Sequence, residues 1–318
     1  MLIQFTARFS AGLLVFSLGA CVCARAPEAH TTGASRKPDA VLTSALDALM
    51  QKFDGDVGIY MRRLDSSEVV ALRADETFPT ASMVKVPILL GLFDKLERGE
   101  LEYRKPLTYE VKRKYEGEDI LAAFQDGAKI PIAELATLMC TFSDNTASLW
   151  LQELAGGGAT INAWLAAHGC AATRVNSRTD DRKEAQKEFG WGQTTPREMA
   201  ELVVSIHDGH AVSPAASEEM TRLLGRSYWT GEALSSIPPQ VHALSKQGAV
   251  NRSRSEVVLV DAPHGTYVFC VITKDQKDES WEHENAGFQL LRDVSRTIWN
   301  HFEPESKWSP AAGAERYF

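Results

Sequence analysis

The chain has 318 residues, 44% hydrophobic and 24% charged, with a formal net charge of −8. That is globular composition, long enough for one large domain or two interleaved lobes, and it excludes a fibrous or wholly disordered chain. The acidic balance excludes a nucleic-acid partner, because phosphate binding wants a basic face.

At the N-terminus, Arg8 precedes "FSAGLLVFSLGAC", which reads as a secretory signal too short for a membrane span. Leu18-Gly19-Ala20-Cys21 resembles a lipobox, which predicts residues 1–20 as a signal and Cys21 as the lipidated mature N-terminus. A plain cut after Ala24 or Ala26 is the alternative. Both routes predict an exported, periplasmic protein, and the lipobox route adds its one expected membrane contact, an N-terminal lipid anchor. Residues 21–40, rich in Ala, Pro and Thr, read as a flexible tether.

Apolar spacing predicts a helix over 41–53, then two strands, "GDVGIYMRRL" and "EVVALRAD", joined at Asp65-Ser66-Ser67. A helix over 81–98 follows, stopped by Gly99. The middle is helical: "IPIAELATLMC", "NTASLWLQELAGGG", "ATINAWLAAHG" and "TTPREMAELVVSIHDG", the last with Pro196 in its first turn. Strand composition returns in "VHALSKQGA", "RSEVVLVDAP" and "GTYVFCVITK", and a helix, "ENAGFQLLRDVSRTIWNHF", closes the fold. Strands from the two ends therefore share one antiparallel sheet flanked by the terminal helices. The sheet lobe comprises 41–76 and about 210–302, the helical lobe about 77–209, and 303–318 form a tail. The cleft between the lobes is the natural place for a site.

Ser82 and Lys85 stand three apart at the mouth of the helix over 81–98, so they share a face. A serine hydroxyl is a weak nucleophile unless a base takes its proton, and a lysine kept neutral by burial can do so. The helix start also offers the Ser82 N–H to an oxyanion. Alone, an S-x-x-K pair arises by chance in a chain of this length. Ser143-Asp144-Asn145 alone is an ordinary helix cap, and Lys246-Gln247-Gly248 alone is an edge strand carrying a lysine. No metal ligand set is read: Cys21, Cys23, Cys140, Cys170 and Cys270 show no C-x-x-C spacing, and the histidines are scattered. A disulfide is compatible with export, but the spacing does not fix a pair.

Taken in order, S-x-x-K, S-D-N and K-x-G make this sequence resemble the class A serine β-lactamases and penicillin-binding proteins. The resemblance covers residues 41–302. It implies an α/β plus all-α, β-lactamase/transpeptidase-like fold, with an antiparallel sheet, a helical second lobe and the site between them. It implies a serine hydrolase without cofactor that forms an acyl-enzyme on Ser82 from a small β-lactam or D-alanyl peptide-like substrate. Lys85 would accept the Ser82 proton, Ser143 would relay one to the leaving nitrogen, and Lys246 would hold that relay. Asn145 would bind the substrate amide, Gly248 and Gln247 would line the binding strand, and Val250 would supply the second oxyanion N–H. A monomer is expected.

Two departures stand out. The loop glutamate that activates the deacylating water in class A enzymes falls at Thr179 here, and its companion asparagine at Lys183. Asp180, Asp181, Glu184 and Glu188 are nearby carboxylates that could serve as the deacylation base instead, and a solvated charged loop is the plainer meaning of that run. Gln247 replaces the family's threonine or serine, so Arg252 or Arg254 is a candidate for the substrate carboxylate, or equally a surface charge. The alternatives are a D-alanyl peptidase, esterase or penicillin-binding protein with slow deacylation, and a lipid-tethered binding protein without turnover.

Overall fold

The computed structural model describes residues 37–117 and 119–317. The expected signal, Cys21 and the tether up to residue 36 lie outside the described residues. Among those described, no helix is long and apolar enough to cross a membrane.

The described residues begin with β1 (Lys37–Pro38), α1 (Ala40–Met50), β2 (Asp56–Arg63), β3 (Glu68–Leu72) and β4 (Phe78–Pro79). A 3-10 turn over Ala81–Val84 leads into α2 (Lys85–Glu97). Then come β5 (Pro106–Thr108), β6 (Lys129–Pro131), α3 (Ile132–Thr137), α4 (Asn145–Leu154) and α5 (Gly157–Ala167). The segment β7 (Arg174–Val175), α6 (Lys183–Phe189), β8 (Gly192–Thr194) borders the cleft, and α7 (Pro196–His207) and α8 (Pro214–Leu224) follow. Last are β9 (Ala243–Val250), β10 (Ser253–Ala262), β11 (Gly265–Lys274) and α9 (Ala286–Phe302).

The main sheet has the order β1-β3-β2-β11-β10-β9. Its β3-to-β9 strands are antiparallel as expected, and β1 adds a short parallel edge, so the sheet is mixed. Both faces are buried, and the period-2 alternation of a strand sorts the side chains. On β10, Val258 and Val260 meet α1 and α9, while Val257 and Leu259 meet the helical lobe. On β11, Phe269 and Val271 go to the first core, and Val268, Cys270 and Ile272 to the second. The helical lobe is built around α2, whose residues from Lys85 to Phe93 are all buried, which is why that helix reads as nearly continuous apolar sequence. Cys140, Cys170 and Cys270 are buried free thiols.

Helix α8 is not among the expected elements: residues 214–224, within the span assigned to the sheet lobe, form a helix. Ser213 caps it through the Ala216 N–H at 3.1 Å, Pro214 occupies its first turn, and Ala216, Met220, Leu223 and Leu224 form its buried stripe. The edge strand β9 then runs alongside the 3-10 turn that carries Ser82. Gly248 makes that approach possible: a Cβ there would lie 2.6 Å from the Thr80 carbonyl oxygen and 2.8 Å from the Ser82 nitrogen.

Candidate active site

Ser82 sits in the 3-10 turn just before α2, and Ala81 ahead of it has φ of +43°. A left-handed alanine is a strained conformation that persists only where the surroundings hold it. Lys85 Nζ lies 3.0 Å from Ser82 Oγ, 2.9 Å from Ser143 Oγ and 2.8 Å from Asn145 Oδ1. Lys246 Nζ reaches the same Ser143 Oγ from the other lobe at 3.1 Å. One serine hydroxyl therefore stands between two lysines that are 1% and 2% exposed.

Burial without a carboxylate partner decides how these lysines titrate. Burial, and next the positive charge of Lys246, hold Lys85 well below the usual lysine value. Burial also pushes Lys246 down to about 8. A lysine so depressed gives up its proton more readily than a free one, which is the condition for accepting a proton from a neighbouring hydroxyl.

The S-D-N segment reaches this position by an unusual backbone. A π-helical turn over Leu138–Phe142 follows α3, and Ser143 leaves it with φ of +62°, in the left-handed region. Asp144 then caps α4 by accepting the Ala147 N–H at 2.8 Å, and also accepts the Leu121 N–H at 2.8 Å. Asp119 accepts the N–H groups of Asn145 at 2.9 Å and Thr146 at 2.7 Å. Asp119 was missed in the sequence, where it lies in a charged stretch without periodicity.

On β9, parity separates the remaining expectations. Lys246 and Gly248 face the helical lobe, whereas Ser245 turns away to donate to Glu256 Oε1 at 2.6 Å. Gln247 Oε1 and its backbone oxygen both accept from Lys246 Nζ, the latter at 2.9 Å. The side-chain amide of Gln247 thus steadies Lys246 where the family pattern has a hydroxyl.

The expected oxyanion donor moves by one residue. Val250 pairs with Ser253 across a two-residue turn, so its N–H belongs to the ladder. Arg254, the partner of Ala249, instead spends its backbone groups on Thr273 Oγ1 at 2.8 and 3.2 Å. Ala249 is thus in a pair that exchanges no bonds, and its N–H faces the open edge beside Ser82. Val250 remains part of the cleft wall.

Arg254 is also corrected. It is fully buried on the α9 side, between Trp281 and Phe288, and donates to the carbonyls of Ser253 and Ser280 at 3.0 and 2.7 Å. It takes no part in the cleft. Arg252, two residues earlier on the turn, does line it, with Asp275 at 3.5 Å.

The cleft holds about 590 Å³ and is walled by Ser82, Asn145, Tyr115, Trp191, Ala249 and Lys274, among others. Of the loop carboxylates, Asp180, Asp181 and Glu184 point into solvent; Asp180 is paired loosely with Lys183 and Glu184 with Lys187. Thr179, at the position of the family glutamate, is buried against Gly158 and donates to the Ser177 carbonyl. Glu188 is the one of the four that lines the cleft. Helix α6 buries no residue, so no apolar period marks where Glu188 falls. Among the described residues, no group of three His, Cys, Asp or Glu side chains converges to hold a metal.

A serine 3.0 Å from a buried lysine, in a cleft between a sheet and a helical lobe, defines a serine hydrolase of the β-lactamase type. Residues 41–302 match the β-lactamase enzyme family, and the chain belongs to it. Among solved structures it is similar to PBP-A, at 25% identity over 85% of this chain and 99% of that one, with a TM-score of 0.76. It is similar in fold to the β-lactamase from Sphaerobacter thermophilus, at 23% identity over 83% and 97% of the two chains, TM-score 0.73. An ancestral class A β-lactamase (GNCA) matches at 22% identity over 82% and 100%, TM-score 0.73.

Proposed function

We propose that Ser82 attacks the carbonyl of a β-lactam and that the resulting acyl-enzyme is then hydrolysed. The observation that carries this reading is the buried Lys85 Nζ 3.0 Å from the Ser82 hydroxyl, held well below the usual lysine value by burial and by Lys246. Lys85 takes the Ser82 proton as the new C–O bond forms. The N–H groups of Ser82 and Ala249 receive the developing oxyanion. Ser143 gives its proton to the leaving nitrogen as the C–N bond breaks, and the lysines resupply it. Lys246, while charged, and Arg252 offer positive charge to the substrate carboxylate. Asn145 binds the acyl amide. A variant of PBP-A is described as an acyl-enzyme complex with penicillin G, which supports β-lactams as the substrate class.

A second reading has a specific observation behind it. Asp180, Asp181 and Glu184 face solvent, so deacylation lacks their help and depends on Glu188 or on unassisted water. Slow deacylation is the behaviour of a penicillin-binding protein or D-alanyl peptidase. Both readings are tested by following intact mass after mixing the protein with benzylpenicillin, with Ser82→Ala alongside. A Ser82-dependent adduct that decays as penicilloate accumulates means turnover. A persistent adduct selects the second reading, and no adduct rejects both.

A further inference from the structure

The loop between α8 and the 3-10 turn at Ala233–Ser236 leaves two large aromatic side chains in solvent, Tyr228 at 61% and Trp229 at 43% exposure. Neither belongs to a core. What they do is bind backbone. The Tyr228 N–H donates to the Thr141 carbonyl at 3.0 Å, and the Trp229 indole N–H donates to the Phe142 carbonyl at 3.0 Å. Thr141 and Phe142 are the last two residues of the π-helical turn, directly before Ser143. Carbonyls at a helix end need partners from outside the helix, and here one loop supplies two in succession.

The same loop is tied to that turn by its rings. Phe142 and Tyr228 lie 5.3 Å apart, Trp229 meets Tyr228 edge-on at 5.3 Å, and Ser227 Oγ donates to the Trp229 carbonyl at 3.0 Å. Ser143 follows with φ of +62°, a conformation a serine does not hold without support. Its hydroxyl must nonetheless sit within about 3 Å of both lysines to pass a proton.

We propose that Trp229 is a positioning residue for proton delivery. Its indole N–H fixes the Phe142 carbonyl and thereby holds Ser143 in the left-handed conformation that points its hydroxyl between Lys85 and Lys246. This rests on the reading of Ser82 as the acylated nucleophile and Ser143 as the proton donor. In that step the C–N electron pair passes to nitrogen, which takes the Ser143 proton, and the proton first lost by Ser82 replaces it through the lysines. A thioester needs no such donor, because a thiolate departs without being protonated.

The test uses that difference. Trp229→Phe keeps an aromatic ring and removes the N–H. Acylation of Ser82 would be timed by intact mass with benzylpenicillin and with a phenylacetylglycyl thioester. The expected result is a three- to tenfold slower reaction with benzylpenicillin, about the worth of one hydrogen bond, and a thioester rate within about twofold of wild type. Equal slowing of both substrates marks a general structural role and overturns the proposal, as does no change in either. A wild-type protein that neither substrate acylates overturns the nucleophile assignment itself, which the wild-type traces reveal before the variant is compared.

Discussion

Lys85 and Lys246 share one hydroxyl: Ser143 Oγ lies 2.9 Å from the Nζ of the first and 3.1 Å from the Nζ of the second. Two cations cannot comfortably occupy such a buried site, so one lysine gives up its proton more readily. Lys85 is the one depressed further, since the charge of Lys246 adds to its own burial. The pair divides into a base and a charge.

That division sets the pH profile of acylation. Lys85 is held well below the usual lysine value and only becomes more fully the free base as pH rises, so the rate does not fall on its account. Lys246 loses its charge through about pH 8, and with it the attraction for the substrate carboxylate. The second-order acylation rate is therefore expected to decline above about pH 8. Lys246→Arg keeps a charge throughout this range, so its alkaline limb moves up by more than about one pH unit, whatever its absolute rate. An unchanged limb in that variant would assign the decline to another group.

Gly248 is where the sheet touches the nucleophile. A methyl group there meets the Thr80 carbonyl and the Ser82 nitrogen below 3.0 Å, and both are backbone. Gly248→Ala must push β9 away from the Ser82 turn. The expected cost is about 1–3 kcal/mol of stability by denaturant melting. Acylation by benzylpenicillin should fall on the order of 100-fold, because both oxyanion donors move apart. A fully active variant would show that β9 does not form the oxyanion wall.

Much of this was legible in the sequence, and each failure has its own physical cause. Ser82, Lys85, Ser143, Asn145 and Lys246 could be singled out because their spacing follows one continuous element each, and the structure brings them together. Val250 and Arg254 could not be placed, because a strand residue's face depends on register, and a shift of one residue reverses it. The turn at Asn251-Arg252 fixes that register, and it puts Arg254 against Trp281 and Phe288. Ser143's backbone was hidden for another reason. A π-helical turn and a left-handed serine have no compositional mark, and the residues that hold them, Tyr228 and Trp229, come more than 80 residues later. Helix α8 did carry its signal, Ser213-Pro214 before apolar residues at 216, 220, 223 and 224, which the strand-rich sequence after it masked.

The loop carboxylates make a clean negative prediction. Asp180→Asn, Asp181→Asn and Glu184→Gln together remove three charges that face solvent. The decay rate of the benzylpenicilloyl adduct should stay within about twofold of wild type, since exposed charges at that remove are screened. Glu188→Gln, which alters the carboxylate in the cleft wall, should slow the decay instead. Stopped samples read by intact mass separate the two variants. A slower decay in the triple variant and none in Glu188→Gln would reverse this assignment.

Behind β9 lies a second titrating group whose effect is on stability. Glu256 is fully buried, accepts from Ser245 Oγ at 2.6 Å and the Ala233 N–H at 2.8 Å, and is pushed up to about 8 by burial and then by Glu232. Its carboxyl is neutral in the folded chain over a range where the unfolded chain ionises it. The folded form therefore binds the extra proton, and this contribution to stability is complete below the unfolded value of 4.5 and lost as pH rises through about 8. Lys85 and Lys246 bring slopes of their own in the opposite sense, so wild type alone does not isolate the effect. Glu256→Gln does, because it removes one titration and leaves the lysines in place. Melting temperatures of both proteins from pH 5 to pH 9 should show wild type losing ground steadily to the glutamine variant. Parallel curves would mean that Glu256 is already ionised in the folded protein, balanced by Lys246 across the strand.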